Sequence, residues 1–387
     1  MQDSFDVVVV GGGLVGKAAA VTAARLGYRC AHLAPPGPPD RRTSALMGPS
    51  VAFLQQAGLI EMPEAIGHPL KAIRIIDATD RLVRAPETFF DSAEAGLTSF
   101  GWNFANQALG ERFETIGRGE DRLVTIPALA RGFARTPDGW VVTLADGRTL
   151  NTSLLVGADG KRSPVRGAAG LAVRERKFAQ SALVCDLDLG RPLDGTSVEF
   201  HYANGPFTLV PAGDRRANLV WIDNEAVLTA ARGKPIKEMQ DLFAAKAMRL
   251  FGAMTIVSPV QVFPLSTLTV SQAGAEGVML VGESAHAFPP IGAQGLNLGL
   301  RDVADMAAIL RSTSTAQAGW AQAAGRDYAR ERQSDLLATG QMVDALFQSL
   351  LQEMLPAQAL RAGGLWALKL MPGLRWRAFA LGMGSRG

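Results

Sequence analysis

The sequence predicts an α/β protein with a Rossmann-like dinucleotide-binding core. Three segments carry that expectation. A glycine-rich turn joins a strand to a helix near the start, and an Asp-Gly corner does so in the middle. Later, a strand runs through a Pro-Gly loop into a further helix.

Phe5 to Val10 is a continuous β-branched run (FDVVVV), the composition of a parallel strand buried on both faces. It enters Gly11-Gly12-Gly13-Leu14-Val15-Gly16, an alanine-rich helix follows over Lys17 to Leu26, Gly27 ends it, and Tyr28 to Leu33 reads as the next strand. Strand, G-x-G-x-x-G, helix, strand is the context the dinucleotide fingerprint requires. Gly11 makes the tight turn, Gly13 lets a pyrophosphate approach the backbone, and Gly16 lets helix and strand pack closely. The helix N-terminus offers free N–H groups and partial positive charge to phosphates. One position departs from the pattern. Ala34 ends the second strand, where a carboxylate usually grips the adenosine ribose, and its side chain cannot accept a hydrogen bond.

Asp146-Gly147 predicts a hairpin turn between short strands at Val141 to Leu144 and Arg148 to Leu150. A separate apolar strand at Leu154-Leu155-Val156 then runs into Gly157-Ala158-Asp159-Gly160. Ser163 and Pro164 suit the N-cap and first position of a helix. By itself this is a strand–turn–helix corner with Arg166 solvated. Gly277 to Gly282 predicts another strand, followed by Glu283-Ser284-Ala285-His286-Ala287-Phe288-Pro289-Pro290-Ile291-Gly292-Ala293-Gln294-Gly295-Leu296-Asn297 and a helix through Arg301, Asp302 and Leu310. An acid beside the strand end can accept a sugar hydroxyl, and the helix N-terminus near Gly295 aims positive charge at whatever lies before it. His286 alone reads as a satisfied buried histidine. Ser284 does not make a hydrolase elbow, because the residue two after it is His286 rather than glycine.

Together the three motifs resemble those of the group A flavoprotein monooxygenases, which have the para-hydroxybenzoate hydroxylase fold. Within that group the chain is similar to the ubiquinone-biosynthesis FAD-dependent ring hydroxylases of the UbiH/UbiF/VisC type. Asp159 stands in a G-A-D-G-x-x-S-x-x-R match to their Asp-Gly motif, and Gly282 and Glu283 in their second FAD motif, where aspartate is usual. Asp40 to Leu46 matches their D-x-R-x-x-A-L, with Arg42 as the arginine over the FAD. Asn106-Gln107-Ala108-Leu109 fits their helix beside the flavin, although Ala105 replaces a common glutamate. Further likenesses are Phe178-Ala179-Gln180, Gly205 to Pro211 with Leu219-Val220-Trp221, Phe263-Pro264-Leu265, and Tyr328, Arg332 and Asp335.

The resemblance implies a discontinuous FAD-binding domain (1–70, 98–173 and 274–335), an inserted antiparallel-sheet substrate domain (71–97 and 174–273) and a C-terminal helical segment (336–387). It implies FAD held by Gly11, Gly13, Gly16, Arg42, Asn106, Asp159, Gly282, Glu283, Gly295, Leu296 and Asn297. The backbone loop of Pro290, Gly292 and Gln294 becomes the oxygen-reaction face, with O2 as co-substrate. A hydroperoxide of the reduced flavin would then hydroxylate an aromatic ring, in this family a polyprenylated phenol. No second G-x-G-x-x-G is present, so electrons come either from NAD(P)H docking near Asp159 and Arg166 or from a reductase partner. A same-fold flavoprotein with other redox chemistry, or a low-activity scaffold of a quinone-synthesis complex, stays open as an alternative. The halogenase W-x-W-x-I-P signature is missing.

Composition narrows the rest. With 387 residues, 48% of them apolar and 19% charged, the chain suits two packed domains. A net charge of +3, without a basic stripe interleaved with aromatics, argues against nucleic acid as a partner. Cys30 and Cys185 read as buried thiols of a reducing compartment, not as a disulfide or metal site. Met1 to Phe5 carries acid rather than a basic leader, which points to a cytoplasmic protein. After Glu353 there is no acid, while Arg361, Lys369, Arg375, Arg377 and Arg386 alternate with apolar residues. Such a basic amphipathic segment suits either packing on the cofactor domain or contact with a membrane surface or a quinone-synthesis complex.

Overall fold

The computed structural model describes residues 3–79, 85–290 and 294–351. The first strand, Asp3–Val10, lies between two parallel neighbours, Thr149–Gly157 and Cys30–Leu33. Its Val7, Val8 and Val9 are fully buried, so the run needs no polar alternation. The sheet extends to Val278–Leu280 on one side and Leu123–Ile126 on the other. An antiparallel ribbon of Ala130–Thr136 and Gly139–Leu144 pairs onto Thr149–Gly157. The two strand pieces expected after Asp146-Gly147 are therefore one strand. The intervening Thr152 is buried in it, with its hydroxyl in hydrogen-bond reach of the carbonyls of Asp6 and Leu154.

Two helices pack side by side on this sheet. Leu14–Arg25 buries Ala18, Ala19, Ala20 and Ala23 completely, and Gln294–Arg311 crosses beside it. A Cβ on Gly299 would stand 2.7 Å from Val15 Cγ2, so glycine is what allows the helices to approach there. Behind them the helix Trp320–Leu351 carries the fully buried Tyr328 and Arg332, running without a break through residue 336. The segment 352–387, with its basic residues, lies outside the described residues.

The second large sheet runs His286-Ala287, Gln261–Val270, Val173–Leu189, Arg216–Asn224, Gly205–Pro211, Thr196–Tyr202, Ala72–Asp77, Thr88–Asp91. Pairing is antiparallel except between Thr196–Tyr202 and Ala72–Asp77. One face presents Phe200, Phe207 and Trp221 to Phe243 and Leu228 of two helices, Glu225–Arg232 and Ile236–Lys246. Phe207, Trp221 and Phe243 meet with ring centroids 6.1–6.2 Å apart, in tilted and edge-on geometries. These helices interrupt the antiparallel-sheet insertion that the sequence led us to expect. Both are amphipathic but short, and a strand-rich context hides them.

The opposite face turns toward the cofactor sheet across a small sheet of Thr43–Met47, Gly101–Ala105 and Gly67–Leu70. Asn218 joins the two. Its Oδ1 accepts from Thr43 Oγ1 at 2.7 Å and Asn103 Nδ2 at 2.8 Å, while its Nδ2 donates to Asp186 Oδ1 at 2.6 Å. A buried amide with its partners supplied fixes the approach of the two sheets, where an unpaired one would be costly.

Candidate active site and cofactor cradle

The glycine turn is built as its chemistry requires. Gly11 has φ +131°, and a Cβ there would lie 2.1 Å from the Ala158 carbonyl oxygen. A Cβ on Gly16 would lie 2.0 Å from the Gly11 oxygen. Around Gly13, the residue preceding the helix, a Cβ would meet nothing within 4 Å. Two glycines thus permit close packing, and the third leaves open space before the free N–H groups of the first helical turn. Sequence reasoning missed His32, which is buried on the second strand with Nε2 2.9 Å from the Gly11 oxygen. A carbonyl only accepts, so Nε2–H donates and pins the turn. Burial pushes this imidazole below its ordinary range, which favours the neutral ring. A lone histidine inside an apolar strand was the available signal.

Asp159 follows the strand Thr149–Gly157 and is held from below. Its Oδ2 accepts the Val165 N–H at 3.0 Å, while its Oδ1 is buried with no partner. Burial raises this carboxyl, opposed by hydrogen bonds from Ser163 and Val165 and by the Arg166 charge. The helix Pro164–Ala168 begins as expected, with the Ser163 hydroxyl accepting the Arg166 N–H at 2.9 Å. Arg166 itself is not solvated. Its guanidinium is buried and donates to the carbonyls of Ser284 at 2.8 Å and Lys161 at 2.9 Å. The two carbonyls give the buried guanidinium the acceptors that its removal from water requires.

Arg166 thereby ties the Asp-Gly corner to the next turn, Gly282-Glu283-Ser284. Ser284 is fully buried and donates to the Gly157 carbonyl at 2.6 Å, so it is a structural hydroxyl. Glu283 is exposed and has no hydrogen bond or ion pair among the described residues. Gly282 has φ +63°, and its N–H donates to Asp302 Oδ2 at 2.7 Å. The same oxygen lies 2.6 Å from His286 Nε2, leaving His286 Nδ1 buried without a partner. His286 is therefore the paired core histidine the sequence suggested, with one nitrogen unsatisfied. Behind it Arg332 Nη1 donates to Asp305 and Asp335 at 2.7 and 2.6 Å. Its Nη2 lies 2.7 Å from Asp302 Oδ1, an ion contact too bent to be a hydrogen bond. Burial works against the Arg332 charge, but the surrounding carboxylates hold it protonated.

The loop side of the site is part helix and part turn. Pro290 is exposed, and Gln294 and Gly295 open the helix Gln294–Arg311, whose first four N–H groups include those of Leu296 and Asn297. A Cβ on Gly295 would meet nothing within 4 Å. The Asn297 side chain does a different job. It accepts the Met47 N–H at 2.9 Å and donates to the Ala45 carbonyl at 2.8 Å, clamping the strand Thr43–Met47 to the helix. Gly292 lies outside the described residues. The two helix N-termini converge on the Gly282 turn. A Cβ added to Gly282 or to Gly299 would stand 3.2 or 2.7 Å from Val15 Cγ2 of the first helix.

Arg42 overhangs this region. It pairs side-on with Asp40, Nε to Oδ1 and Nη2 to Oδ2, both 2.8 Å. Burial pushes the Asp40 carboxyl up, but hydrogen bonds from Arg42 and Asn106 and the Arg42 charge bring it down to about 2. The Asp40 bonds raise Arg42 in turn, burial opposes them, and the nearby Glu283 charge adds to the rise. Asn106 donates to Asp40 Oδ2 at 2.9 Å and accepts from Ser44 Oγ at 2.7 Å, so its side chain orients the acid.

Two positive helix ends, two glycines facing open space and one buried, unpartnered carboxylate oxygen are what a ribityl–pyrophosphate–flavin group needs. Residues 4–334 match the model of a family described as "FAD binding domain". The chain belongs to that family. FAD is its cofactor, and the residues present fit it. A ubiquinone hydroxylase, UbiL, of Rhodospirillum rubrum is 29% identical over 96% of this chain and 87% of its own length. The 3-demethoxyubiquinol 3-hydroxylase of Escherichia coli is 27% identical over 98% of both. The crystal structure of p-nitrophenol 4-monooxygenase PnpA from Pseudomonas putida superposes with a TM-score of 0.77 at 19% identity, covering 100% of each chain, which shows the shared fold. The chain is an FAD-dependent monooxygenase of this family.

Proposed function

We propose that this monooxygenase hydroxylates the ring of a polyprenylated phenol on the route to ubiquinone, within the cytoplasm. The observation that carries the reading is the near full-length match to two ubiquinone-pathway hydroxylases. FAD, when bound, supplies the activation of O2. The chain supplies the rest. Gly11, Gly13 and Gly16 admit the pyrophosphate, and Asp159 Oδ1 and Glu283 accept sugar or ribityl hydroxyls. Arg42 and Asn106, braced by Asp40, lie over the cofactor. The N–H groups of Gly295, Leu296 and Asn297 and the positive end of their helix favour negative charge at the ring edge. Pro290, Gly292 and Gln294 form the oxygen-facing loop.

Water exclusion falls to the apolar face of the second sheet, where Ala182, Ile222 and Leu265 cluster with Phe178 and Val220. A dry site protects reactive oxygen species from hydrolysis. Electrons come from NAD(P)H or a reductase partner. Arg166, committed to two carbonyls, is not a docking group for a nicotinamide phosphate. The basic residues after Glu353 support contact with a membrane surface or a quinone-synthesis complex. Among the described residues no helix is long and apolar enough to cross a membrane.

Deleting the gene and identifying the accumulating quinone precursor tests this reading. A prenylated phenol lacking one ring oxygen is expected, cleared by adding back the wild-type gene. An unchanged quinone pool overturns it.

A further inference from the structure

Alternate residues of a strand face opposite ways. In Thr196–Tyr202, Val198 and Phe200 enter the core beneath the two helices, so Glu199 and His201 project from the other face. The pairing register agrees. Glu199 stands opposite Thr208, Thr208 opposite Val220, and Val210 opposite Asn218, the residue that reaches Thr43 and Asn103 on the cofactor side. Glu199 and His201 thus share the face that carries Val220 and Ile222 and looks toward the cofactor sheet.

On this face His201 Nε2 lies 3.1 Å from Glu199 Oε2, with the side chains 13% and 26% exposed. A carboxylate accepts only, so in the neutral ring Nε2 carries the hydrogen and Nδ1 keeps a lone pair. Nδ1 has no hydrogen bond to any described residue, nor is it among the sealed, unsatisfied atoms. Among the described residues, the strand Ala72–Asp77 places one further charged group beside the ring, Asp77, its register neighbour. That carboxylate takes the Thr79 N–H and hydroxyl through Oδ1 and the Ala85 N–H through Oδ2. An imidazole oriented by a carboxylate, with a free ring nitrogen on the face that carries Val220 and Ile222, is the arrangement of a general base.

Resting on the reading of the substrate as a phenol, we propose that His201, oriented by Glu199, takes the proton of the substrate's ring hydroxyl at Nδ1. The O–H bond breaks, the proton becomes the second ring hydrogen of an imidazolium facing Glu199, and the electron pair stays on oxygen. The phenolate feeds density to its ortho and para carbons, which then meet an electrophilic oxygen more readily. After hydroxylation the carbon that gained the oxygen loses its ring hydrogen as a proton, which leaves with the second oxygen atom of O2 as water. His201 returns its proton to the ring oxygen, so the dyad ends as it began.

The test uses the FAD-loaded protein and 2-alkyl-4-nitrophenol, whose phenolate is coloured. Wild type is expected to bind it with its apparent ionisation lowered by about one pH unit or more. His201→Gln is expected to abolish that shift, and Glu199→Gln to leave only part of it. Flavin content and melting temperature should be unchanged in both. Turnover of a polyprenylated phenol should fall by about 100-fold in His201→Gln. Wild type that binds the probe with its solution ionisation, or fails to bind it, overturns the dyad. So does a His201→Gln variant that keeps the shift. Should His201→Gln not fold, an unaltered shift in Glu199→Gln overturns the pairing. If wild type ionises the probe but hydroxylates no polyprenylated phenol, the substrate reading fails and the dyad stands. If wild type hydroxylates and His201→Gln matches it in rate and pH profile, the dyad fails and the substrate reading stands.

Discussion

Asp159 and Glu283 each follow a strand of the same sheet, and they are held in opposite ways. Asp159 is fixed by the Val165 N–H and leaves one buried oxygen unpaired, while Glu283 stands exposed beyond a turn that is itself tightly braced. The first acid is organised before any ligand arrives and bears an unmet desolvation cost. The second is solvated and gives up little by waiting. An acceptor of the first kind gains more from a ligand hydroxyl, because its alternative is an empty bond rather than water. What the Glu283 side lacks in side-chain order it has in its foundation, the chain from Gly282 through Asp302 to Arg332.

The strongest way to break this contrast is to remove that foundation. Arg332→Ala leaves the Asp302, Asp305 and Asp335 carboxylates without their shared cation in the interior. Loss of about 3–5 kcal/mol of stability is expected. Urea unfolding of the flavin-free protein measures it. A loss below about 1 kcal/mol would mean the turn bearing Glu283 does not depend on the network.

The glycines extend the comparison to the backbone. Gly11→Ala meets the Ala158 oxygen at 2.1 Å from a left-handed conformation, and should cost about 3 kcal/mol of stability together with the flavin. Gly13→Ala enters open space, so its stability should stay within about 0.5 kcal/mol of wild type. Its flavin affinity should nevertheless fall by about tenfold or more, because the new methyl occupies the approach to the helix N–H groups. Equal affinity in Gly13→Ala and wild type would remove the pyrophosphate from that position.

Flavin titration sharpens the acid pair itself. Asp159→Asn should weaken FAD binding by about 1.5–3 kcal/mol, the worth of a charged hydrogen bond. Glu283→Gln should cost less than about 1 kcal/mol, since water already serves that carboxylate. Ala34→Glu is expected to tighten binding by restoring a ribose acceptor. Equal losses from the two acids would cancel the distinction drawn between them.

What the sequence made legible follows the same division. Gly11, Gly16 and the Ser163-Pro164 helix start were readable because backbone geometry restricts the residue types that fit. The core pairing of His286 was readable from its place after a buried strand. Arg166 was not, because nothing in its neighbourhood announces that two carbonyls need a buried donor. Asn297 was named as a cofactor contact, and its side chain proved to be a clamp on Thr43–Met47. Glu199 and His201 were invisible for a stricter reason. Their pairing depends on which face of a strand the helices at 225–246 cover, and those helices were themselves not foreseen.

The smallest effect concerns pH, and here two acids of the site should move in opposite directions. Asp40 is brought down to about 2, so it adds stability above the ordinary carboxylate range and loses it as pH falls toward that value. With its side chain 36% exposed, solvent screening limits the contribution to about 1 kcal/mol or less. Asp159 is raised by burial, so the folded chain holds that proton more tightly than the unfolded one. Its contribution improves as pH falls through the raised value. The stability advantage of wild type over Asp40→Asn should therefore shrink between about pH 5 and 3, while that over Asp159→Asn should grow. Difference curves from urea unfolding at each pH isolate the two groups from other titrating carboxylates. A flat difference curve for Asp159→Asn would mean that burial does not hold its proton, and that the unpaired oxygen is satisfied by water before any flavin binds.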